Sequence, residues 1–368
     1  MIELSWEQVR AFRLERSLGG EGGIVETARR LGGVHAQVMS CAELALVARV
    51  GGSSVDDVRE ALWERRDLVK TWAMRGTLHL LAADDLPLWA GALRTRSYLW
   101  RSAAWTRYFG VSVDELEALV AAIGSSLDGR GLTREELCTA VGKIAGPRAQ
   151  ELMASGWGTL LKPVAMEGGL VFGPNRGRNV AFVNPHEWIG PFEPLPTEEA
   201  MSEVVRRWLR VYGPGSREEL RLWWGVSAGR AQKALAALGD ELVEVSVEGR
   251  LGFALSEDAE ALERATPDRR ARLLPGFDPH VVGFLPREGL VEPEFKARVS
   301  RTAGWISPVV LAGGKAVGVW KHTLRKGTME IIVEPFGKLP AARIRELSAD
   351  AERLAGALGA EPSVMLAA

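Results

Sequence analysis

A chain of 368 residues with 46% hydrophobic and 25% charged side chains can bury substantial cores, and its length suggests two or three domains. Its net charge of −1 excludes a protein that is basic over its whole surface, so any nucleic-acid contact must come from a local basic face. Two cysteines, Cys41 and Cys138, are too few for a disulfide scaffold or a four-ligand zinc site, and no apolar run is long enough to span a bilayer. With no signal-peptide pattern after Met1, a reduced cytoplasmic protein is expected.

In chain order, Ser5-Trp6-Glu7-Gln8 reads as a capping box opening a helix that carries Val9 and Phe12. A second helix over 24–31 should stop at Gly32-Gly33, where glycine permits the backbone of a helix end. Further helices are expected over 41–50 and, after a box at Ser54–Asp57, over 55–66. Strands over 68–73 and 77–81 flank a turn near Arg75-Gly76. Helices followed by a hairpin describe a winged helix. No acidic residue lies between Asp85 and Asp114, where Arg94, Arg96, Arg101 and Arg107 alternate with Tyr98, Trp100, Trp105 and Tyr108. That mixture suits phosphate contact plus base stacking, and equally a helix with aromatic core residues and solvated arginines.

The pattern recurs. A box from Ser112 to Glu115 opens a second unit, which contains Thr133-Arg134-Glu135-Glu136-Leu137, a helix over 152–161 and strands over 169–172 and 180–183. The turn at 173–179 holds Arg176 and Arg178. A third unit repeats the box as Ser216-Arg217-Glu218-Glu219-Leu220, followed by a helix over 229–238 and strands over 242–247 and 251–255. The four prolines at 185, 191, 194 and 196 mark a semi-rigid linker between the second and third units. Beyond about residue 265, strand-like runs at 280–285, 306–312, 315–320 and 329–335 precede a helix from Pro340 through Leu358, giving a small β-barrel or a curved sheet closed by a helix. The expected architecture is α+β, divided at 1–110, 111–189, 190–264 and 265–368.

Four stretches carry a resemblance. Gly32-Gly33-Val34-His35-Ala36-Gln37 resembles the catalytic Gln-apolar-Gln or His-apolar-Gln segment of the AlkZ-like DNA glycosylases. Thr71 to Leu80, with its Arg75-Gly76 turn, is similar to that family's first wing. Leu274-Pro275-Gly276-Phe277-Asp278 and Gly318-Val319-Trp320-Lys321 are similar to its C-terminal domain. The resemblance spans essentially the whole chain. It implies three tandem winged helices and a β-barrel in a C-shaped body around duplex DNA, and hydrolysis of the N-glycosidic bond of alkylated purines, above all N7-alkylguanine. Bulky antibiotic adducts and interstrand crosslinks are the lesions handled by the family's self-resistance members. The partner is then double-stranded DNA bearing alkylated purines, and the enzyme a monomer associated with the nucleoid.

On this reading Gln37 orients a water through an amide that donates and accepts, while His35 serves as general base or as a hydrogen-bond partner of the DNA backbone. The alternative is that both side chains merely cap neighbouring helices. Arg75, Arg176 and Arg178 are candidate phosphate contacts, with a solvent-facing loop as the slightly favoured reading for Arg176 and Arg178. Lys321, His322, Arg325 and Lys326 form a basic turn that is read either as meeting the lesion from the groove or as an exposed, solvated turn. His79 reads as a core histidine; Asp278 reads as a turn-stabilising residue, with a hydrogen-bonded Asp278–His280 pair as the alternative. No zinc spacing and no phosphate-binding glycine loop are present in the sequence, so no metal or cofactor is expected. No lysine stands out for Schiff-base chemistry, so the glycosylase is expected to be monofunctional. A winged-helix regulator without catalytic activity and a protein-binding scaffold are the competing readings.

Overall fold

The computed structural model describes residues 1–154 and 158–367. It shows a mixed α+β fold with three three-stranded sheets and one five-stranded sheet. In the first unit, helices Ile24–Arg30, Met39–Val47 and Val55–Trp63 accompany the hairpin Leu68–Trp72 and Leu78–Ala82. A two-residue strand, Val34–His35, pairs antiparallel with Leu78–Ala82 as the third strand. The second unit repeats this arrangement: Leu132–Thr133 joins the hairpin Val171–Arg176 and Asn179–Val183. Here the strands run into the expected 173–179 turn and leave a tight turn at Gly177-Arg178. The helix expected over 152–161 falls partly on 155–157, outside the described residues. On either side stand Pro147–Ala154 and the 3-10 turn Thr159–Leu161, which leads into Lys162–Met166.

The third unit is built from Thr197–Tyr212, Arg217–Trp224, Ala228–Ala236 and the hairpin Leu242–Val247 and Arg250–Leu255. Its third strand comes from the other end of the chain. Ile2–Leu4 lies parallel to Leu242–Val247, and the helix Trp6–Leu18 that follows packs on Thr197–Tyr212 and Ala259–Arg264. Arg13 on that helix is buried and donates to the carbonyls of Gly213 (3.3 Å), Pro214 (2.7 Å) and Leu285 (2.9 Å). A guanidinium is the side chain that can serve three carbonyls at once, and here it fastens the N-terminal helix to two distant segments.

The C-terminal region is a curled five-stranded sheet in the order Ala271–Leu274, Val309–Ala312, Lys315–Arg325, Thr328–Pro335, Glu361–Leu366, with helix Ala341–Gly356 against the first and last strands. The first and last strands do not pair with each other, so it is a half-barrel rather than a closed one. The run expected as a strand at 280–285 is instead the short helix Pro279–Gly283. Asp278 accepts from the backbone N–H of His280, and Pro279 opens the helix with its φ already set, which outweighs the β-branched Val281 and Val282. One continuous core links the three units, including Trp89 packed on Trp224. A smaller cluster around Phe284 and Val309 lies beneath the C-terminal sheet. Among the described residues, no helix is long and apolar enough to cross a membrane.

Candidate active site

Helix Ile24–Arg30 ends in two left-handed glycines, Gly32 at φ 66 and Gly33 at φ 96. The positive φ of Gly33 is one that other side chains rarely adopt, and a Cβ there would also press on Leu81 Cδ2 at 2.6 Å, so glycine lets the chain turn tightly against the hairpin. The turn delivers Val34 and His35 to the sheet edge, where His35 pairs with His79, and Ala36 N–H donates to Leu78 O at 2.7 Å.

The two later units show what is unusual here. In the second, the strand residue Thr133 is itself the N-cap of the next helix, with its box to Glu136 formed. In the third, Gly215 bridges to Phe253 and Ser216 caps at once, with its box to Glu219. In the first, residues 36–38 intervene, and the helix Met39–Val47 starts from Val38 with no side-chain cap. Neither His35 nor Gln37 caps a helix, so that alternative is set aside. Gln37 is exposed in the bend and makes no hydrogen bond among the described residues. The segment thus occupies the place of a capping box and leaves its polar side chain uncommitted.

His35 is 8% exposed. Its ring stacks on Phe277 at 4.7 Å with 11° between planes and meets the edge of His79 at 5.4 Å. Phe277, held at φ 56, is in turn met edge-on by Trp305 at 5.0 Å. His35 Nδ1 is buried without a hydrogen-bond partner. Burial first, and the charge of Arg75 second, pull the His35 imidazole down to about 4. His79 is buried, has Nδ1 3.0 Å from Thr77 O, and is held well below its usual range by desolvation. Both rings are therefore neutral near pH 7.

Arg75 sits in the turn of the first hairpin at φ 57 and donates from Nη1 to the Trp223 carbonyl at 2.6 Å. Burial lowers its guanidinium to about 10. It therefore ties the first hairpin to the third unit and sets the field around His35. Arg176 is half exposed and pairs with Glu136 at 2.9 Å and the Gly131 carbonyl at 2.5 Å, whereas Arg178 is exposed in the neighbouring turn. Lys321 pairs with Glu334 at 3.2 Å; His322 lies 5.4 Å from Trp320, its imidazole lowered by burial. Arg325 and Lys326 are exposed at the tip of a continuous hairpin with Leu324, which is 53% exposed. The basic residues therefore lie on the strand ends rather than in a long loop. Asp278 is fully buried, bidentate with Arg49 at 2.8 Å, and His280 meets Ser17 Oγ at 2.7 Å.

Phe277 is visible in the sequence only as part of a stretch similar to the family's C-terminal domain, and its stacking on His35 is a tertiary contact across more than 240 residues. Arg96 and Lys162, which approach Gly76 beside Arg75, carried no signal that linked them. Among the described residues no group of three or more His, Cys, Asp or Glu side chains could hold a metal ion.

The hairpin edge of the first unit thus presents an exposed, unpaired Gln37 two residues after a neutral, stacked imidazole. The comparisons define the class: the AlkZ-like DNA glycosylase profile matches residues 28–357, and the chain belongs to that family. It is a DNA glycosylase of the AlkZ type. Among known relatives, it is 36% identical over 370 residues to the interstrand DNA cross-link repair glycosylase of Streptomyces sahachiroi, covering 97% of this chain and 98% of that one. The solved structure of Streptomyces sahachiroi DNA glycosylase AlkZ superposes with a TM-score of 0.90 over the full length of both chains.

Proposed function

We propose that this enzyme hydrolyses the N-glycosidic bond of N7-alkylguanine in duplex DNA as a monofunctional glycosylase, and that bulky adducts and interstrand crosslinks are among its substrates. The observation that carries this reading is the exposed, uncapped Gln37 beside the neutral His35. N7 alkylation makes guanine a cation that departs as a neutral base, so the site needs no strong acid. It must orient water against an oxocarbenium-like sugar. Gln37 orients that water by accepting from it through Oε1. The neutral His35 adds no positive charge beside the forming cation and accepts the water proton as the C–O bond closes. The relative's cross-link repair activity supports extending the substrates to tethered bases.

On the same reading, the three helix-and-hairpin units are tandem winged helices, the first within 24–110, the second over 111–189 and the third over 190–264 completed by residues 2–18, followed by the half-barrel domain, and a single chain curves around one duplex. The Leu324–Lys326 tip enters a groove, with the apolar Leu324 as a wedge and Arg325 and Lys326 on flanking phosphates. The test is excision on duplexes carrying N7-methylguanine, a bulky guanine adduct or an interstrand crosslink, with abasic sites revealed by alkali. Gln37→Ala should lower the single-turnover rate by about a hundredfold or more, the scale for losing one positioned polar group, with DNA affinity almost unchanged. Full activity in Gln37→Ala removes this residue from the mechanism, and release of none of the three lesions overturns the proposal.

A further inference from the structure

Arg75, Arg96 and Lys162 converge on a cavity of about 510 Å³ walled by Trp100, Trp105 and Tyr108. Many arginines of this protein are paired with carboxylates, as Arg29 is with Asp84 and Arg206 with Glu241. These three cations are different. Arg75 donates to the Trp223 carbonyl and Arg96 Nη1 to the Ala73 carbonyl at 3.1 Å, while Arg96 Nε is buried with no partner. Lys162 makes no hydrogen bond among the described residues, and no carboxylate lines the cavity. Gly76 leaves the floor bare: a Cβ there would stand 3.8 Å from both Arg96 Nη2 and Lys162 Nζ. Three partly buried like charges repel one another in a medium of low dielectric, and an anion is what relieves them. The outer wall faces solvent, with Tyr108 82% exposed and Trp105 packed on Phe109 at 4.3 Å. A large exposed aromatic next to cations suits a flat π-system attached to the anion.

We infer that this cavity binds one unstacked nucleotide of the DNA strand, its phosphate between Arg96 and Lys162 over Gly76 and its base against Trp105 and Tyr108. The proposal rests on the DNA-acting reading above but assigns a second binding site, distinct from the Gln37 water. Arg75 lies between the two, because it lines this cavity and its charge is also the second cause, after burial, that lowers the His35 imidazole.

Tryptophan fluorescence of the intact protein, titrated with deoxyadenosine 5′-monophosphate, inorganic phosphate and deoxyadenosine, tests the site directly. Saturable quenching by the monophosphate is expected, competed by phosphate, with the nucleoside at least about tenfold weaker for want of its charge. Lys162→Gln should weaken the monophosphate about tenfold, and Trp105→Leu should remove most of the quench while phosphate still competes. Monophosphate affinity unchanged in both variants, or equal to that of phosphate alone, overturns the proposal. A duplex with 2-aminopurine beside N7-methylguanine separates strand from free nucleotide. Its emission should be quenched by the wild-type protein relative to Trp105→Leu, and equal emission overturns the strand assignment. Gln37→Ala should keep the monophosphate affinity, so failure of this site and failure of the catalytic reading are told apart.

Discussion

Two hairpins of this enzyme carry basic residues at their turns, and the fold treats them in opposite ways. Leu68–Trp72 and Leu78–Ala82 are buried along nearly their whole length, with Trp72 against Phe172 at 4.9 Å and Thr71 Oγ1 donating to the Leu170 carbonyl at 3.3 Å. The second and third units close over this hairpin, and Arg75 at its turn becomes an internal tie. In Lys315–Arg325, burial alternates through Trp320 and then ceases, leaving Lys321, Arg325 and Lys326 in solvent. A cation at a turn is available to phosphate only where no other layer packs over it. The strand sequences already carried the difference: a nearly continuous apolar run signals cover on both faces, and a failing alternation signals an arm that leaves the core.

The largest expected effect falls on the exposed arm. Replacing Lys321, Arg325 and Lys326 together with Gln should lower duplex affinity at low salt by about a hundredfold and reduce the salt slope by about 2 to 3. Thermal stability should barely move, because the exposed Lys321–Glu334 pair contributes under about 1 kcal/mol. Arg75→Ala should do the reverse. It removes a charged donor from the Trp223 carbonyl and costs about 2 kcal/mol of stability, with a salt slope changed by less than about 1. A large slope change with an unchanged melting temperature in Arg75→Ala would erase the distinction between the two hairpins.

Features decided within four residues were legible in the sequence. The capping boxes at Ser5, Ser54, Ser112, Thr133 and Ser216 all form. Features decided by chain return were not. Ile2–Leu4 finds its parallel partner at Val245–Val247, and Glu361–Leu366 adds a strand beside Thr328–Pro335. Nothing local distinguishes such short segments from coil. At Asp278-Pro279 the helix signal is local, and it outweighs the strand character of the apolar run after it. His35 and Gln37 stand out through family resemblance, while the physical reason that Gln37 is uncommitted, the missing cap before Met39, needs the three units side by side.

A smaller effect concerns acidity. Burial holds His35 near 4 and His280 near 3, whereas the unfolded chain takes up these protons near 6.5. Between those values the unfolded state binds more protons, so stability falls as pH drops from about 6.5 toward 4. His35→Gln removes one of these groups. Its stability should fall less steeply over that window, by up to about 1.4 kcal/mol per pH unit, and match wild type in its pH dependence above about 7. In the same variant the excision rate should lose its acid limb. An acid limb that survives assigns the base to another group.

The smallest effects lie on the second hairpin, which is exposed like the C-terminal arm but internally paired. Arg178, in the turn and unpaired among the described residues, should lose about 1 from the salt slope on substitution by Gln. Arg176→Gln should change the slope less and cost under about 1 kcal/mol of stability, because its partner Glu136 also closes the Thr133 box and remains solvated. Salt titration of both variants on one duplex checks the ranking. A larger slope change at Arg176 would mean that its pair with Glu136 opens when DNA arrives. At the hairpin turns, cover by another layer would then be what withholds a cation from duplex phosphate, and surface pairing would not.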